Sequence, residues 1–326
     1  MKIIQDDEAS ADGASSLMID ARGGRGQRLD QFLARYLQDQ IEGVSRTRIQ
    51  RWIALGAVHV DQQVRLPSLR LKGVEHVEVV PQPLESDTAF APDPVPLQVL
   101  YQDADISIIN KPAGLVTHPA PGNWRYTLMN GLLYADPRAA RLPRAGIVHR
   151  LDRDTSGLLV CARSERAFAS LTGQLASREM GRRYLALATG LTAEQGTIEG
   201  NIGRDPQHRL RMAVLAAPAG KPARTHFQRL AINPEQTVSA LLCRLETGRT
   251  HQIRVHLAST GHPLLGDALY GGRAVGDFSR QALHAWQLSL IHPASGERHT
   301  FVAPLPDDLC TLARQLQLPL AEHPPA

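Results

Sequence analysis

The sequence predicts an α+β protein in two parts: a small basic module carrying helices, then a larger domain built on a mixed, largely antiparallel sheet. Three observations predict it. First, 326 residues exceed one average domain, and Pro81, Pro83, Pro92, Pro94 and Pro96 cluster where a connecting segment belongs. Second, charge is placed unevenly. The chain carries a formal +4, yet the stretch from Ala21 to Lys72 holds nine arginines and Lys72 against Asp30, Asp39, Glu42 and Asp61, a local +6. Third, beyond the prolines short apolar runs dominate. They lack the regular strand–helix alternation of a doubly wound parallel sheet.

In chain order, residues 1–25 read as a flexible, Gly-rich leader. The module 26–81 opens with Leu29, Phe32, Leu33, Tyr36 and Leu37 at helical spacing. Ser45 then suits the N-cap of a second helix with Ile49, Trp52 and Ile53 on one side and Arg48 and Arg51 on another. Gly56 is its expected stop. Val58, Val60, Val64, Val77 and Val79 suggest short strands. Residues 82–96 read as a Pro-rich linker, and 97–326 as the second domain. Strands are expected at Ile106–Ile109, Gly157–Val160, Tyr184–Ala188 and Ser239–Leu245. Helices are expected at Ala167–Ala176 and from Thr250, as N-cap, to Ser259, ended by Gly261.

Composition narrows the function class. Hydrophobic residues are 43% and charged residues 21%, an ordinary globular balance. Cys161, Cys243 and Cys310 lie far apart and form no zinc pattern or disulfide framework, which suits a reducing, cytoplasmic setting. No apolar run approaches the roughly 18 residues of a membrane span, and Asp6, Asp7 and Glu8 interrupt any signal-peptide reading of the N-terminus. Of the 36 basic residues 32 are arginines, a bias that phosphate contact and genome composition explain equally well. A basic module beside a near-neutral body points to a polyanionic partner such as nucleic acid.

No P-loop, dinucleotide fingerprint, nucleophile elbow or H-E-x-x-H motif is present. Three segments instead place reactive polar residues between apolar ones: Gly146–Val160, with His149, Arg150, Asp152 and Asp154; Tyr184–Gly190 after Arg182-Arg183; and Leu245–His256, with Arg249, His251 and Arg254. Taken singly, they read equally as a solvated turn, a core aromatic and a charged helix start.

Taken together, the three segments resemble the three signatures of the RluA-type pseudouridine synthase family. Asn110–Pro119, Arg141–Gly146, Gly220–Ala223, Gly261–Asp267 and Arg280–Ala285 agree in order, so the resemblance runs from about residue 27 to 310. The module 26–81 resembles the alpha-L RNA-binding motif of a small-subunit ribosomal protein, best along Ser45-Arg46-Thr47-Arg48-Ile49. The implied fold is an alpha-L RNA-binding domain followed by a pseudouridine synthase catalytic domain. Three places depart from the family pattern. Asp61-Gln62 replaces an Asn-Gly turn, Gly73-Val74 replaces Gly-Asp, and Trp124 and Tyr126 occupy a loop that is small and glycine-bearing in relatives.

The resemblance implies isomerisation of uridine to pseudouridine in large-subunit (23S) ribosomal RNA, with helix 69 as the favoured site and another ribosomal site or transfer RNA as the alternative. It implies a cytoplasmic monomer acting on the RNA or the large subunit, away from membranes, with no cofactor and no metal, since the reaction neither changes oxidation state nor transfers phosphate. Asp152 matches the catalytic aspartate, as nucleophile on sugar or base or as the base that takes a ribose proton. Arg254 matches the arginine that pairs with it, and a guanidinium within hydrogen-bond reach favours an ionised carboxylate. Tyr184 matches the aromatic that packs on the target base and takes the proton from its carbon. Arg150 matches the residue that fills the gap left by a flipped base. Ile253 is expected against the base, His149 as an RNA contact or structural residue, and Arg46, Arg48 and Arg51 on the RNA backbone. Two rival classes remain. A non-catalytic RNA binder would lack Asp152, Tyr184 or Arg254, and a metal hydrolase using His149, Asp152 and Asp154 would respond to chelators.

Overall fold

The computed structural model describes residues 16–41, 43–82, 89–208 and 210–321. The chain divides into two compact units, Met1–Leu84 and Glu85–Ala326.

In the first unit, β1 (Leu17–Asp20), α1 (Leu29–Leu37), α2 (Arg46–Ala54), β2 (Val58–Val60), β3 (Gln63–Val64) and β4 (His76–Val79) follow one another. The strands form an antiparallel sheet of order β1-β4-β2-β3. The flexible leader expected to residue 25 is corrected here; residues 1–15 of it lie outside the described ones. Leu17–Asp20 pairs with β4, and Ala21–Gly24 forms a 3-10 turn capped by the Asp20 side chain. The physical reason is alternation: Ile19 faces the core, and Ala21 follows it inward. The helices form where the periodicity places them. Leu29, Phe32, Leu33 and Leu37 of α1 and Ile49, Trp52 and Ile53 of α2 are buried together. Ser45 caps α2 by accepting the Arg48 N–H, worth about 1 kcal/mol. Asp30 is fully buried and joins the helices. It accepts Arg28 in a bidentate pair, Arg46 at 3.0 Å and Gln50 at 2.6 Å. Burial opposes its charge, but these donors outweigh burial and hold its pKa well below the carboxylate range. The β2–β3 hairpin turns through Asp61 and Gln62, both left-handed at φ 49 and 63 without a glycine. Asp61 Oδ1 helps to hold the corner by accepting the His76 N–H at 3.0 Å.

The second unit runs β5 (Val99–Gln102), β6 (Ile106–Lys111), α3 (Leu128–Ala135), β7 (Ser156–Ala162), α4 (Glu165–Ala176), β8 (Gly181–Thr189), β9 (Gln195–Arg204), β10 (Met212–Leu215), β11 (Lys221–Ile232), β12 (Val238–Leu245), α5 (Gln252–Ser259), β13 (Leu283–Ile291), β14 (Arg298–Val302) and α6 (Asp307–Gln315). Its sheet has the order β10-β9-β11-β12-β8-β13-β7-β6-β5, with β14 on β13. The β13–β7 pair is parallel and the other pairs are antiparallel, so the sheet is mixed and largely antiparallel, as expected.

The central strands read as unbroken apolar runs because both faces are covered. On β8, Tyr184, Ala186 and Ala188 face one core with α3 and α5, while Leu185 and Leu187 face another with α6. On β7, Leu159 and Cys161 join the first core, while Leu158, Val160 and Ala162 meet α4. Of the linker expected at 82–96, residues 83–88 lie outside the described ones, and 89–96 packs on the second unit. Asp93 is buried against the Arg125 guanidinium and the Tyr126 N–H, and Asn130 Nδ2 donates to the carbonyls of Ala89 and Ala91. No helix among the described residues is long and apolar enough to cross a membrane.

Candidate active site

The first signature becomes the loop from Ile147 to Thr155, ahead of β7. Glycines pin both ends. A Cβ on Gly146 would lie 2.0 Å from the Ala162 carbonyl oxygen, and one on Gly157 would lie 2.2 Å from that of Ala285. Both also have positive φ, at 83 and 108, so only glycine fits either position. Between them the backbone is held from several directions. Thr117 Oγ1 donates to the Leu151 carbonyl at 2.8 Å. Lys111, fully buried, spends its ammonium on the carbonyls of Pro112, Leu115 and Arg153 at 2.7–2.9 Å. Arg280 Nη1 reaches the Asp154 carbonyl. His149 Nε2 accepts the Val160 N–H at 3.1 Å. Burial first, and the Arg182 charge second, push its pKa down to about 3, so the ring is a neutral brace tying the loop to β7.

The third signature becomes the start of α5. The expected cap is corrected: His251, not Thr250, is the N-cap, in left-handed conformation at φ 56 and without a side-chain cap bond. Gln252 does the local work instead. Its Oε1 accepts the Arg249 N–H and the Thr247 hydroxyl, and its Nε2 donates to the Arg224 carbonyl and Thr225 Oγ1. This turns Ile253 and Arg254 inward, where both are buried.

These segments meet β8 in a cleft of about 470 Å³ lined by His118, His149, Arg150, Asp152, Arg182, Tyr184 and the 245–254 segment. At its centre, Arg254 Nη1 donates to Asp152 Oδ2 at 3.1 Å. The rest of the guanidinium grips Asp267 through Nε at 2.7 Å and Nη2 at 2.8 Å. Burial works against the Arg254 charge, but the carboxylates of Asp267 and Asp152 overcome it and raise its pKa. Asp152 Oδ1 lies 4.0 Å from His251 Nε2. His251 Nδ1 sits 2.8 Å from the Tyr270 hydroxyl, which accepts the Met212 N–H. Arg254 also lies 5.0 Å from the centre of the Tyr270 ring. Tyr184 is buried in the cleft wall, and burial raises its phenol above the ordinary range.

The fold therefore brings Asp152, Tyr184, Arg254, His149, Arg150 and Ile253 to one cleft. Arg46, Arg48 and Arg51 belong to the other unit. There Arg46 holds Asp30, while Arg48 donates to the Gln82 carbonyl and lies 4.9 Å over the Trp52 ring; Arg51 is exposed. In the sequence Asp267 and Tyr270 carry no site role, and His251 stands only as one polar residue of the third segment. Asp267 lies 13 residues beyond Arg254 in chain order, and no spacing rule links the two. Arg182 was also missed, although the two-residue strand period places it on the Tyr184 face.

Comparison with known proteins supplies the family. The family model for RNA pseudouridylate synthase matches residues 105–259. The chain is 46% identical over 304 residues to the ribosomal large subunit pseudouridine synthase D of Neisseria meningitidis serogroup A, covering 90% of this chain and 79% of that one. It is 47% identical to the protein of that name from Nitrosomonas europaea (90% and 85% covered) and 43% identical to that from Escherichia coli K12 (91% and 93% covered). Among solved structures, human RNA pseudouridylate synthase domain containing 1 aligns with a TM-score of 0.51 at 27% identity, covering 72% of this chain and 98% of that chain. The human domain-containing 4 protein shares the fold, with a TM-score of 0.55 at 23% identity over 68% of this chain and 94% of that chain. On the strength of relatives more than 40% identical along nine-tenths of its length, the chain belongs to the RNA pseudouridylate synthase family and is an isomerase acting on RNA.

Proposed function

We propose that the protein converts uridine to pseudouridine in large-subunit (23S) ribosomal RNA, with helix 69 as its site and Asp152 as its catalytic residue. The observation that carries this reading is the ladder Asp267–Arg254–Asp152, which presents one carboxylate to a cleft walled by Tyr184. The ribosomal target rests on the relatives named ribosomal large subunit pseudouridine synthase D. In the cell the enzyme is a cytoplasmic monomer that meets the RNA or the assembling large subunit.

The chemistry balances without redox change. The bond between ribose C1′ and uracil N1 breaks, the ring turns, and C1′ bonds to C5. The C5 proton leaves, and N1 gains one. Asp152 acts either as nucleophile, its bond to the substrate breaking again as C1′ bonds to C5, or as the base that takes the ribose C2′ proton and returns it in that step; a primary isotope effect from deuterium at C2′ identifies the second role. Arg254 orients Asp152. Tyr184 and Ile253 pack on the base, and the Tyr184 hydroxyl, which burial keeps protonated, relays the C5 proton, accepting it as its own passes on toward N1. Arg150, exposed at the rim, occupies the gap left in the RNA stack, offsetting part of the few kcal/mol that flipping costs. His149 holds the loop that carries Arg150 and Asp152. Arg46, Arg48 and Arg51 supply positive charge to the RNA backbone.

Pseudouridine mapping tests the reading. Unmodified large-subunit ribosomal RNA and the particle are incubated with wild type and with Asp152→Ala. Pseudouridine in helix 69 with wild type alone supports it. Pseudouridine at another ribosomal site or in transfer RNA replaces the target, and none on any RNA removes the reading.

A further inference from the structure

Arg182 precedes Tyr184 by two residues on β8, so the pleat sends both side chains to one face of the sheet, and both line the cleft. Arg182 is 8% exposed. Yet among the described residues its Nε has no hydrogen-bond partner, and no carboxylate pairs with it. The contrast with its neighbours is sharp: Arg178 is paired with Glu246, and Arg254 with two aspartates. The fold makes room for the group as well. A Cβ on Gly248 would stand 2.7 Å from Arg182 Nη1. The guanidinium also acts electrostatically on the rings beside it, adding to the depression of His149 and opposing the effect of burial on Tyr184.

A buried donor left without an acceptor is costly unless a ligand supplies one. Phosphates meet exposed cations at the rim, where Arg144, Arg150, Arg178 and Arg249 stand. The group that enters a pocket deeply is the flipped base. We infer that Arg182 donates to the O4 carbonyl of the target uracil and stabilises the anion the ring becomes when it leaves the ribose. This rests on the cleft being where uridine is isomerised. When the C1′–N1 bond breaks, its electron pair stays on uracil, spread over N1 and the two carbonyl oxygens. The ring then bonds through C5, which loses its proton as N1 gains one. C5 is the atom Tyr184 serves, and its ring neighbour C4 bears O4. Arg182, beside Tyr184, has only donors to offer. It therefore accepts uracil and opposes cytosine, whose 4-amino group is itself a donor.

The test uses full-length protein with Arg182→Met and Arg182→Lys, on in vitro transcripts of large-subunit ribosomal RNA and of transfer RNA, and on the same transcripts with cytidine at the converted position. Three quantities are read: RNA affinity, single-turnover rate at saturating protein, and the affinity ratio between uridine and cytidine transcripts. For Arg182→Met the expected affinity for uridine transcripts is within about threefold of wild type. Its rate falls about a hundredfold, the scale of losing one donor to a developing anion, and its uridine preference disappears. Arg182→Lys recovers most of the rate. Weakened affinity with an unchanged saturated rate would make Arg182 a phosphate contact and overturn the inference, as would wild-type values throughout. If Arg182→Met fails to fold, a folded Arg182→Lys with neither rate nor preference overturns it equally. Conversion of transfer RNA alone removes the ribosomal target while leaving the Arg182 comparison intact, and the affinity ratio is read even without turnover.

Discussion

Arg254 stands between two aspartates, with Nη1 3.1 Å from Asp152 Oδ2 and its remaining edge bidentate on Asp267. Asp267 is buried, while Asp152 borders the cleft. One carboxylate therefore anchors the guanidinium, and the guanidinium aims the other.

Removing the aimed carboxylate should stop the chemistry alone. Asp152→Asn keeps the shape of the loop and is expected to show no turnover, with RNA affinity within about threefold of wild type. Filter binding and pseudouridine mapping on one preparation check this; lost binding would make Asp152 a structural residue.

Asp267→Asn separates anchoring from chemistry. It leaves the buried Arg254 charge underpaired, so stability should fall by about 3 kcal/mol. The turnover rate should fall about tenfold to a hundredfold through misaimed Asp152, at unchanged RNA affinity. Denaturant unfolding and single-turnover kinetics read the two effects. A stable variant with wild-type rate would show that Asp152 needs no such anchor.

Tyr184→Phe removes the hydroxyl without opening a cavity. Its melting temperature should stay within a few degrees of wild type, while the rate falls about a hundredfold or more, the scale of a lost proton-transfer group. A retained rate would reduce Tyr184 to packing on the base.

Buried histidines should make the protein sensitive to mild acid. Burial pushes His118, His256 and His284 down to about 4, and His149 down to about 3. Unfolded, each has the ordinary value near 6.5. Between about pH 6.5 and 4 the unfolded chain binds more protons, so stability drops as pH falls, by up to about 1.4 kcal/mol per unit for each histidine. The depressed carboxylates, such as Asp103 at about 2, act only at lower pH. Melting temperatures measured from pH 7 to 4.5 should decline, and His284→Gln should flatten the curve.

Separating the two units should weaken binding rather than fold. A chain lacking residues 1–84 loses the basic stretch and should bind RNA less tightly, with a shallower dependence on salt. Its catalytic sheet should keep its circular dichroism. An insoluble fragment would overturn the division into independently folding units.

Elements whose physics is local could be read from residue order alone. The α1 and α2 faces, the Ser45 cap and the apolar cores of β6, β7, β8 and β12 follow from periodicity and capping chemistry within a few residues. The charge step at the N-terminal unit and the three reactive segments were legible for the same reason, and the family resemblance joined the segments into one site. Local reading failed where a distant partner decides the outcome. Leu17–Asp20 became a strand because β4 offered it an edge, and residues 89–96 were held by Arg125 and Asn130. His251 took the cap of α5 while Gln252 bonded back to β11. Contacts between distant segments placed Asp267 on Arg254 and left Arg182 buried with no acid paired to it among the described residues. Pairing and desolvation depend on which charges meet inside the fold, and chain order carries no record of that.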